Sequence, residues 1–378
     1  MADCGFKMDK EAELAESFIN PAQLRNWMDS RQLGSGPISE FRILSGGTQN
    51  ILLMFDRAGR RYVLRRPPVK PRPESNQTMR REAQVLRALG SSSVPHARLI
   101  AACEDEAVFG FAFYLMEPVA GYNATERLPA EAHDPQFQRE MGFALVDALA
   151  TLGQVNPWAV GLEGFGKVEG FLERQVGRWK KQLDSYAQHE GWAGPDTLPG
   201  VNHIADWLAA NCPKTDLPGI LHGDFHLANV MFARDTPKVA AIVDWELATL
   251  GDPLLDLGWL LATWPRPDGS GGAFDIRPWD GFPTAEELVE RYRQQSTRNL
   301  DAIDWYEVLA CYKLGILQEG TMARAQAGLA PKETGEHLHR LAVQLFERAH
   351  KRIAARSSHR HSSGREPAAS RSKEAPQP

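Results

Sequence analysis

The residues with the clearest chemical potential lie in one short segment of the chain and in a loop shortly after it. The segment 221–232, LHGDFHLANVMF, contains Asp224 and Asn229, and Asp244 follows fifteen positions after Asn229. Apolar strand-like runs flank both polar loops. Charged and amide groups at the ends of buried strands lose hydration unless they find partners, so the cluster indicates a functional site.

Transfer of a phosphoryl group from ATP explains this set of residues. The reaction needs a carboxylate that accepts the proton of the attacking hydroxyl, and oxygen ligands that hold Mg²⁺ on the phosphates. An aspartate and an asparagine five positions apart on one loop can do one job each. We therefore expect Asp224 to be the catalytic base, Asn229 and Asp244 to bind Mg²⁺, and ATP and Mg²⁺ to be the cofactors.

Two other interpretations of the same segment stay open. His222, Asp224 and His226 alternate with period two, so on a strand they would share a face and could hold zinc or iron in a metallohydrolase. That interpretation gives Asn229 and Asp244 no role. In a purely structural interpretation, the cluster is a buried polar network in which the histidines brace the loop by hydrogen bonds.

The pattern His-Gly-Asp-x-His-x-x-Asn, followed by Val-Asp-Trp-Glu, resembles the motifs of the aminoglycoside and choline kinase-like phosphotransferases. The segment 244–257, DWELATLGDPLLDL, is most similar to the branch whose kinase domains also occur fused to acyl-CoA dehydrogenases. The resemblance follows the family's motif order over residues 44–264 and implies a protein-kinase-like fold. It also implies a small-molecule kinase whose partner is a hydroxyl compound. At 378 residues, the chain is expected to carry no dehydrogenase domain.

The family has a basic residue on the third strand, paired with a helix glutamate, and the resemblance puts this residue in the strand 61–66. Neighbouring strand residues face opposite ways, so only one of Arg65 and Arg66 can face the phosphates. We assign Arg65, since its face also carries Val63, a small apolar group suited to adenine, and we expect Glu82 as its partner. Arginine replaces the lysine of most kinases, which leaves a pseudokinase that binds nucleotide without turnover as an alternative.

The resemblance extends to three further segments. The turn 45–50, SGGTQN, lies between two predicted strands, where a loop that covers the phosphates belongs. Residues 114–119 match the strand into the interlobe hinge, where backbone groups of the family bond the adenine edge. The resemblance also implies that the segment 252–256 supports the catalytic loop, with direct contact to substrate or metal as the alternative. The predicted nucleotide-binding residues are Gly46, Gly47, Thr48, Gln49, Asn50, Val63, Arg65, Glu82, Glu117 and Val119, and the predicted supporting residues are His222, His226, Asp252 and Asp256.

The predicted secondary structure that positions these residues changes near residue 120, from mainly strands to mainly helices. Three strand-like runs around Gly-containing turns predict an antiparallel meander, a helix is predicted over 75–89, and the later chain is mainly helical. We predict an α+β, bilobal protein-kinase-like fold with a small antiparallel-sheet N-lobe and a large, mainly helical C-lobe. The predicted domains are a nucleotide-binding lobe with a helical N-terminal extension (1–120), a catalytic and substrate-binding lobe (121–355) and a disordered basic tail (356–378).

Composition excludes several other classes of protein. The 378-residue chain carries a net charge of −5, which is unfavourable for a nucleic-acid binder. Its four cysteines are about a hundred residues apart, so no zinc spacing or compact disulfide framework is present. No run of eighteen apolar residues occurs, so no membrane partner is expected. We expect a soluble, cytoplasmic protein, and its oligomeric state is not predictable.

The acceptor is expected to bind among the helical insertions of the C-lobe. The acidic body would suit an aminoglycoside or choline, whereas the branch resemblance favours a hydroxyacyl-CoA or a related hydroxy acid. A CoA ester would need basic residues at the mouth of the pocket. The candidates are Arg174, Arg178, Lys180 and Lys181.

Overall fold

The structure is a computed structural model, and the described part of the chain forms two compact units. The first unit combines Met1–Phe171 with Lys214–Leu300, and the second combines Leu172–Pro213 with Asp301–Pro378. The domain boundaries at 120 and 355 stay a prediction. The described residues are 14, 17–44, 50–214, 217–266, 272–274 and 276–363, with side chains to residue 356.

The first unit begins with a five-stranded antiparallel sheet, in the order β1-β2-β3-β5-β4. Strands β1 to β3 form the expected meander, in which Leu52 of β2 and Tyr114 of β5 lie on either side of Arg65 in β3. This arrangement puts Arg65 in the middle of the sheet. The strands are β1 Ile38–Ile43, β2 Ile51–Arg57, β3 Arg60–Arg66, β4 Leu99–Cys103 and β5 Phe113–Met116.

Two helices cover this sheet. Helix α1, Pro21–Ser30, starts with a proline after the N-cap Asn20, whose side chain accepts from the amide of Gln23. Its buried side chains join Phe41, Leu64 and other apolar residues of the sheet in one cluster. Helix α2, Ser75–Leu89, agrees with the predicted range and puts Glu82 beside Arg65. Since Arg65 and Leu64 are neighbours on one strand, α2 meets the face opposite to the cluster.

Short strands and three helices complete the first unit. The strands form a sheet in the order β6-β8-β9 and a separate β7-β10 pair, which leave polar loops between β7 and β8 and after β9. The strands are β6 Tyr122–Asn123, β7 Gly219–Leu221, β8 Val230–Phe232, β9 Val239–Ile242 and β10 Thr249–Gly251, and the helices are α3 Pro135–Gln154, α6 Leu254–Thr263 and α7 Ala285–Gln295.

Helix α6 is not among the helices that the sequence predicted. Nearly all of its residues are buried, so it has no polar face and no amphipathic period to reveal it. It lies in the most apolar stretch of the chain and is only ten residues long. Over the described residues, no helix combines the length and the apolar character that a membrane crossing requires.

The second unit is helical. Its helices are α4 Glu173–Asp184, α5 Val201–Ala210, α8 Ile303–Gln326 and α9 Lys332–Ser363. The candidate CoA-binding residues Arg174, Arg178, Lys180 and Lys181 lie on α4 and are exposed. Helix α9 continues to Ser363, so the first residues of the tail predicted to be disordered are helical. The rest of that tail, 364–378, lies outside the described residues.

Candidate active site

The predicted catalytic residues share one loop between β7 and β8. Asn229 ends a short 3₁₀ turn, and its Nδ2 donates to the backbone carbonyl of Asp224 at 2.9 Å and to Oδ2 of Asp224 at 3.1 Å. The amide oxygen of Asn229 is the atom that this side chain can offer to a cation. The backbone carbonyl of Asn229 accepts from the amide of Val243 at 2.9 Å, which brings the loop next to Asp244.

A tryptophan that the sequence analysis missed holds the other oxygen of Asp224. Nε1 of Trp259 donates to Oδ1 of Asp224 at 2.9 Å, and Nε2 of His226 lies 3.3 Å from the same oxygen. Trp259 is on α6, three residues after Asp256. Residues at this spacing lie on neighbouring positions of a helix face, a signal that could have linked Trp259 to the site.

The predicted supporting aspartates lie at the start of α6. Asp256 is buried, and its two oxygens accept from the amides of His222 at 2.6 Å and Gly223 at 2.9 Å. Oδ1 of Asp252 accepts from the amide of Leu254 at 3.0 Å and so stabilises the first turn of the helix. Asp256 therefore fixes the backbone of the residues that precede Asp224.

The geometry of His222 argues against the His-Asp-His metal site. His222 is fully buried, its Nε2 lies 2.8 Å from the carbonyl oxygen of Val243, and its Nδ1 accepts from the amide of Asp224 at 3.3 Å. Burial lowers the pKa of His222, so the ring is neutral. Both ring nitrogens are engaged, which leaves neither for a metal and agrees with a loop-bracing role.

Arg65 meets two carboxylates. Its Nε lies 2.9 Å from Oε2 of Glu82, and its Nη2 lies 2.6 Å from Oδ1 of Asp244. Tyr114 donates from its hydroxyl to Oε2 of Glu82 at 2.6 Å. Burial opposes the charge on Arg65, but Glu82, Tyr114 and Asp244 raise the pKa of Arg65 above its usual range. Burial raises the pKa of Glu82 to about 6, although Arg65 and Tyr114 pull it down.

Arg66 differs from its neighbour. Its guanidinium lies over the ring of Phe111, at 3.7 Å from the centroid, and its Nε donates to the carbonyl of Pro67 at 3.0 Å. Phe111 packs against the apolar cluster that faces α1. The two arginines thus point to opposite faces of the sheet, as strand alternation requires.

A group of acidic side chains surrounds the end of β9. Oxygens of Glu82, Asp244 and Glu246 lie within 4.8 Å of one another, the one such group of His, Cys, Asp or Glu found among the described residues. Burial and the charge of Asp244 raise the pKa of Glu246, and Nδ2 of Asn50 lies 3.4 Å from Oε2 of Glu246. Glu82 is buried and paired with Arg65, whereas Asp244 and Glu246 are only half-buried, so these two carboxylates are the more accessible to a cation, although Asp244 also contacts Arg65. Glu246 is not among the site residues predicted from the sequence.

Of the remaining predicted nucleotide-binding residues, Val63 lies on the five-stranded sheet, and Glu117 and Val119 follow its strand β5. Val63 is buried on β3, paired with Met116. The amide of Glu117 donates to the carbonyl of Arg98 at 2.9 Å, so this N–H is already engaged. The backbone group that Glu117 can offer to adenine is its carbonyl. Val119 is half-buried two residues later. Gly46, Gly47, Thr48 and Gln49 lie outside the described residues.

A family model identifies the group of proteins to which this site belongs. The model of the phosphotransferase enzyme family matches residues 40–307, which include both the sheet and the catalytic loop. The chain belongs to the phosphotransferase enzyme family. Membership in this family confirms the predicted enzyme class, a phosphotransferase.

Curated relatives agree with the predicted branch of the phosphotransferase family. Acyl-CoA dehydrogenase family member 11 of Gallus gallus is 31% identical over 338 residues, which cover 85% of this chain and 42% of that protein. The chain thus spans about two fifths of the length of the curated relatives it matches. The match confirms the resemblance to the branch associated with acyl-CoA dehydrogenases.

Solved structures confirm the α+β, protein-kinase-like fold of this phosphotransferase. A protein of Ralstonia eutropha, provisionally named as an aminoglycoside phosphotransferase, is 28% identical with a TM-score of 0.73, over 87% of this chain and 98% of that one. Choline kinase of Cryptosporidium parvum is 13% identical with a TM-score of 0.56, over 85% of this chain and 90% of that one. The second likeness concerns the fold alone.

Proposed function

We propose that this phosphotransferase is an ATP- and Mg²⁺-dependent kinase that transfers the γ-phosphoryl group to a hydroxyl of a small molecule. One observation carries the proposal. Asp224 is fixed by hydrogen bonds to both carboxylate oxygens, and Asn229 and Asp244 are held beside it by the Asn229–Val243 backbone bond. A positioned base next to two oxygen ligands is the arrangement that phosphoryl transfer requires.

In the proposed reaction, Asp224 accepts the proton of the acceptor hydroxyl as its oxygen attacks the γ-phosphorus. The bond between that phosphorus and the β–γ bridging oxygen breaks, and ADP leaves with the electron pair. Mg²⁺, held by Asn229 and Asp244, would neutralise charge on the phosphates. Trp259 and Asn229 keep the carboxylate of Asp224 in one orientation, and such positioning supplies much of the rate in this class of reaction.

Arg65 is proposed to steady the phosphates. Its guanidinium is almost fully buried and always charged, and Glu82 holds it against the side of the site where Asp244 lies. With Asp244 acting as a ligand of Mg²⁺, the guanidinium of Arg65 would be available to bind a phosphate oxygen. Glu82 would keep the guanidinium in place.

For the acceptor, we propose a hydroxyacyl-CoA or a related hydroxy acid. The support is the likeness to acyl-CoA dehydrogenase family member 11. An aminoglycoside or choline is the competing acceptor class, because the chain carries a net charge of −5.

ADP release with Mg²⁺-ATP tests the proposal. We would compare the wild-type chain with Asp224→Asn across hydroxyacyl-CoAs, hydroxy acids, aminoglycosides and choline. Asp235→Asn is the matched control, because Asp235 is an exposed aspartate outside the site. We expect acceptor-dependent ADP release that Asp224→Asn reduces at least about a thousandfold, with Asp235→Asn unchanged.

Two results would contradict the proposed kinase mechanism, and a third would contradict the proposed acceptor. Binding of Mg²⁺-ATP without ADP release from any acceptor would favour the pseudokinase. Undiminished release by Asp224→Asn would remove Asp224 from the role of base. A response to aminoglycosides or choline alone would keep the kinase and overturn the acceptor.

A further inference from the structure

A groove of about 720 Å³ lies at the outer edge of the five-stranded sheet, away from the catalytic loop. Its floor is formed by the consecutive residues 98–102, which are Arg98 and the first four residues of β4. Side chains of a strand alternate between the two faces of a sheet. Neighbouring residues therefore line the same groove only if the groove runs along the unpaired edge of the strand.

The topology agrees with an open edge. Strand β4 is the last strand of its sheet and pairs with β5 on one side, with no described strand on the other. Leu99, Ile100, Ala101 and Ala102 are all half-buried, without the alternation of a covered strand. A free edge presents unpaired backbone N–H and C=O groups to whatever occupies the groove.

Two walls make this edge a groove. Arg31 and Leu33 follow α1 on one side of the sheet, and Leu86, Arg87 and Gly90 lie at the end of α2 on the other. An extended segment lying along β4 would meet backbone groups in the middle and apolar side chains on either side. These are the elements of recognition by strand addition.

The groove is basic although the protein is acidic. Four arginines line it against the single carboxylate of Glu117, whereas the whole chain has a net charge of −5. Arg60 lies 2.9 Å from Glu117 and Arg87 lies 3.7 Å from Glu104, but neither Arg31 nor Arg98 forms an ion pair within the described residues. Arg31 is exposed, and its guanidinium lies over the ring of Trp27, at 4.9 Å from its centroid. This charge complements an acidic partner.

We propose that the groove docks an acidic, extended peptide segment of a partner protein, which pairs with β4 as an additional strand. Its backbone would supply affinity through hydrogen bonds to the edge, and its carboxylates would meet Arg31 and Arg98. The register shift between Leu99 and Ala101 interrupts the ladder at the start of β4, so we expect pairing to be strongest at Ala101 and Ala102. Glu117, a predicted nucleotide-binding residue, also lines the groove, but the inference does not depend on the proposed kinase reaction.

The test uses the full chain and a defined peptide pool. The pool consists of nonapeptides with Asp or Glu at alternate positions and Val, Ile, Thr or Tyr at the others. The best binder is then compared with its N-methylated form, which cannot donate backbone hydrogen bonds. The test variant carries both Arg31→Glu and Arg98→Glu. The matched control is Arg234→Glu, because Arg234 is exposed and lies outside the groove.

We expect micromolar binding that falls at least tenfold in the double variant and in the N-methylated peptide, with Arg234→Glu unchanged. Hydrogen exchange should slow in residues 99–103 when the peptide is bound, while ADP release in the double variant remains that of the wild type. No enrichment from the pool would overturn the proposal. If the N-methylated peptide binds as tightly as the unmodified one, or if inorganic polyphosphate competes as well as the peptide does, the groove binds by charge alone. Either result would overturn strand addition.

Discussion

The indole Nε1–H of Trp259 donates to Oδ1 of Asp224 at 2.9 Å and thereby joins a buried helix to the proposed catalytic base. Oδ2 of the same carboxylate accepts from Asn229 at 3.1 Å. A carboxylate held at both oxygens cannot rotate freely about its Cβ–Cγ bond. Trp259 is therefore a positioning residue, one that acts through Asp224.

Replacing Trp259 with phenylalanine should lower kcat. The ring still fills its buried site, but one hydrogen bond to a charged group is lost, and such bonds contribute about 1.5–3 kcal/mol. We expect kcat to fall about tenfold or more, with the KM for ATP unchanged. The acidic limb of the kcat–pH profile should move to higher pH, since the lost donor favoured the charged carboxylate.

Trp264→Phe is the control for that variant. Nε1 of Trp264 donates to the carbonyl of Pro283 at 2.9 Å, and Trp264 is equally buried. Its loss should lower stability while leaving the pH profile unchanged. If both variants shift the profile alike, Trp259 has only a structural role.

Asp244→Asn should raise the Mg²⁺ requirement of the reaction. Asp244 lies in the left-handed region with φ of +67°, which asparagine tolerates better than alanine does, so the backbone is retained. The neutral amide is a weaker ligand for a hard cation. We expect the half-saturating Mg²⁺ concentration to rise about tenfold or more, measured by ADP release against Mg²⁺ at saturating acceptor. An unchanged Mg²⁺ dependence would exclude Asp244 as a ligand.

Glu82 should make folding stability depend on pH in a narrow window. Its pKa rises from the ordinary value of 4.5 to about 6 in the folded protein, so the folded state binds this proton more tightly than the unfolded state does. The contribution of Glu82 to stability is therefore lost as the pH rises from 4.5 to 6 and is level above that range.

The rise in the pKa of Glu82 should change the free energy of unfolding by about 2 kcal/mol across this pH window. Denaturant unfolding of the wild type and Glu82→Gln between pH 4 and pH 8 measures it. The difference in free energy of unfolding between the two proteins should change across the window and stay constant above it. Parallel profiles throughout would show that Glu82 titrates normally.

Gly223→Ala should disturb the catalytic loop. Gly223 has φ of +85°, and an added Cβ would lie 2.5 Å from the carbonyl oxygen of Leu247. Gly161→Ala is the matched control, since Gly161 has φ of +76° and open space around its Cβ position. Both variants carry a backbone cost of about 1–2 kcal/mol, but the Gly223 variant adds a clash. We expect it to unfold at lower denaturant concentration than the control and to lose kcat, which the control should keep.

Several elements could be predicted from local sequence because local rules decide them. Strand alternation placed Arg65 and Arg66 on opposite faces, and Val63 on the face of Arg65 led to the choice between them. The periodicity of 75–89 predicted the helix that carries Glu82. Helix α6 could not be predicted in the same way, because a helix buried on all sides has no amphipathic pattern. Because α6 was not predicted, its residue Trp259 was not predicted to contact the site either.

The sequence by itself determined the chemistry that the chain can offer: an aspartate, an asparagine and a second aspartate in motif order, with an arginine on a strand before them. Residue type and short-range spacing are enough for that inference. Only the tertiary structure decided which side chains meet. Trp259 is 35 positions from Asp224, Arg65 is 179 positions from Asp244, and Asn50 is 196 positions from Glu246. Contacts at these separations depend on how whole helices and strands pack, which no local pattern specifies.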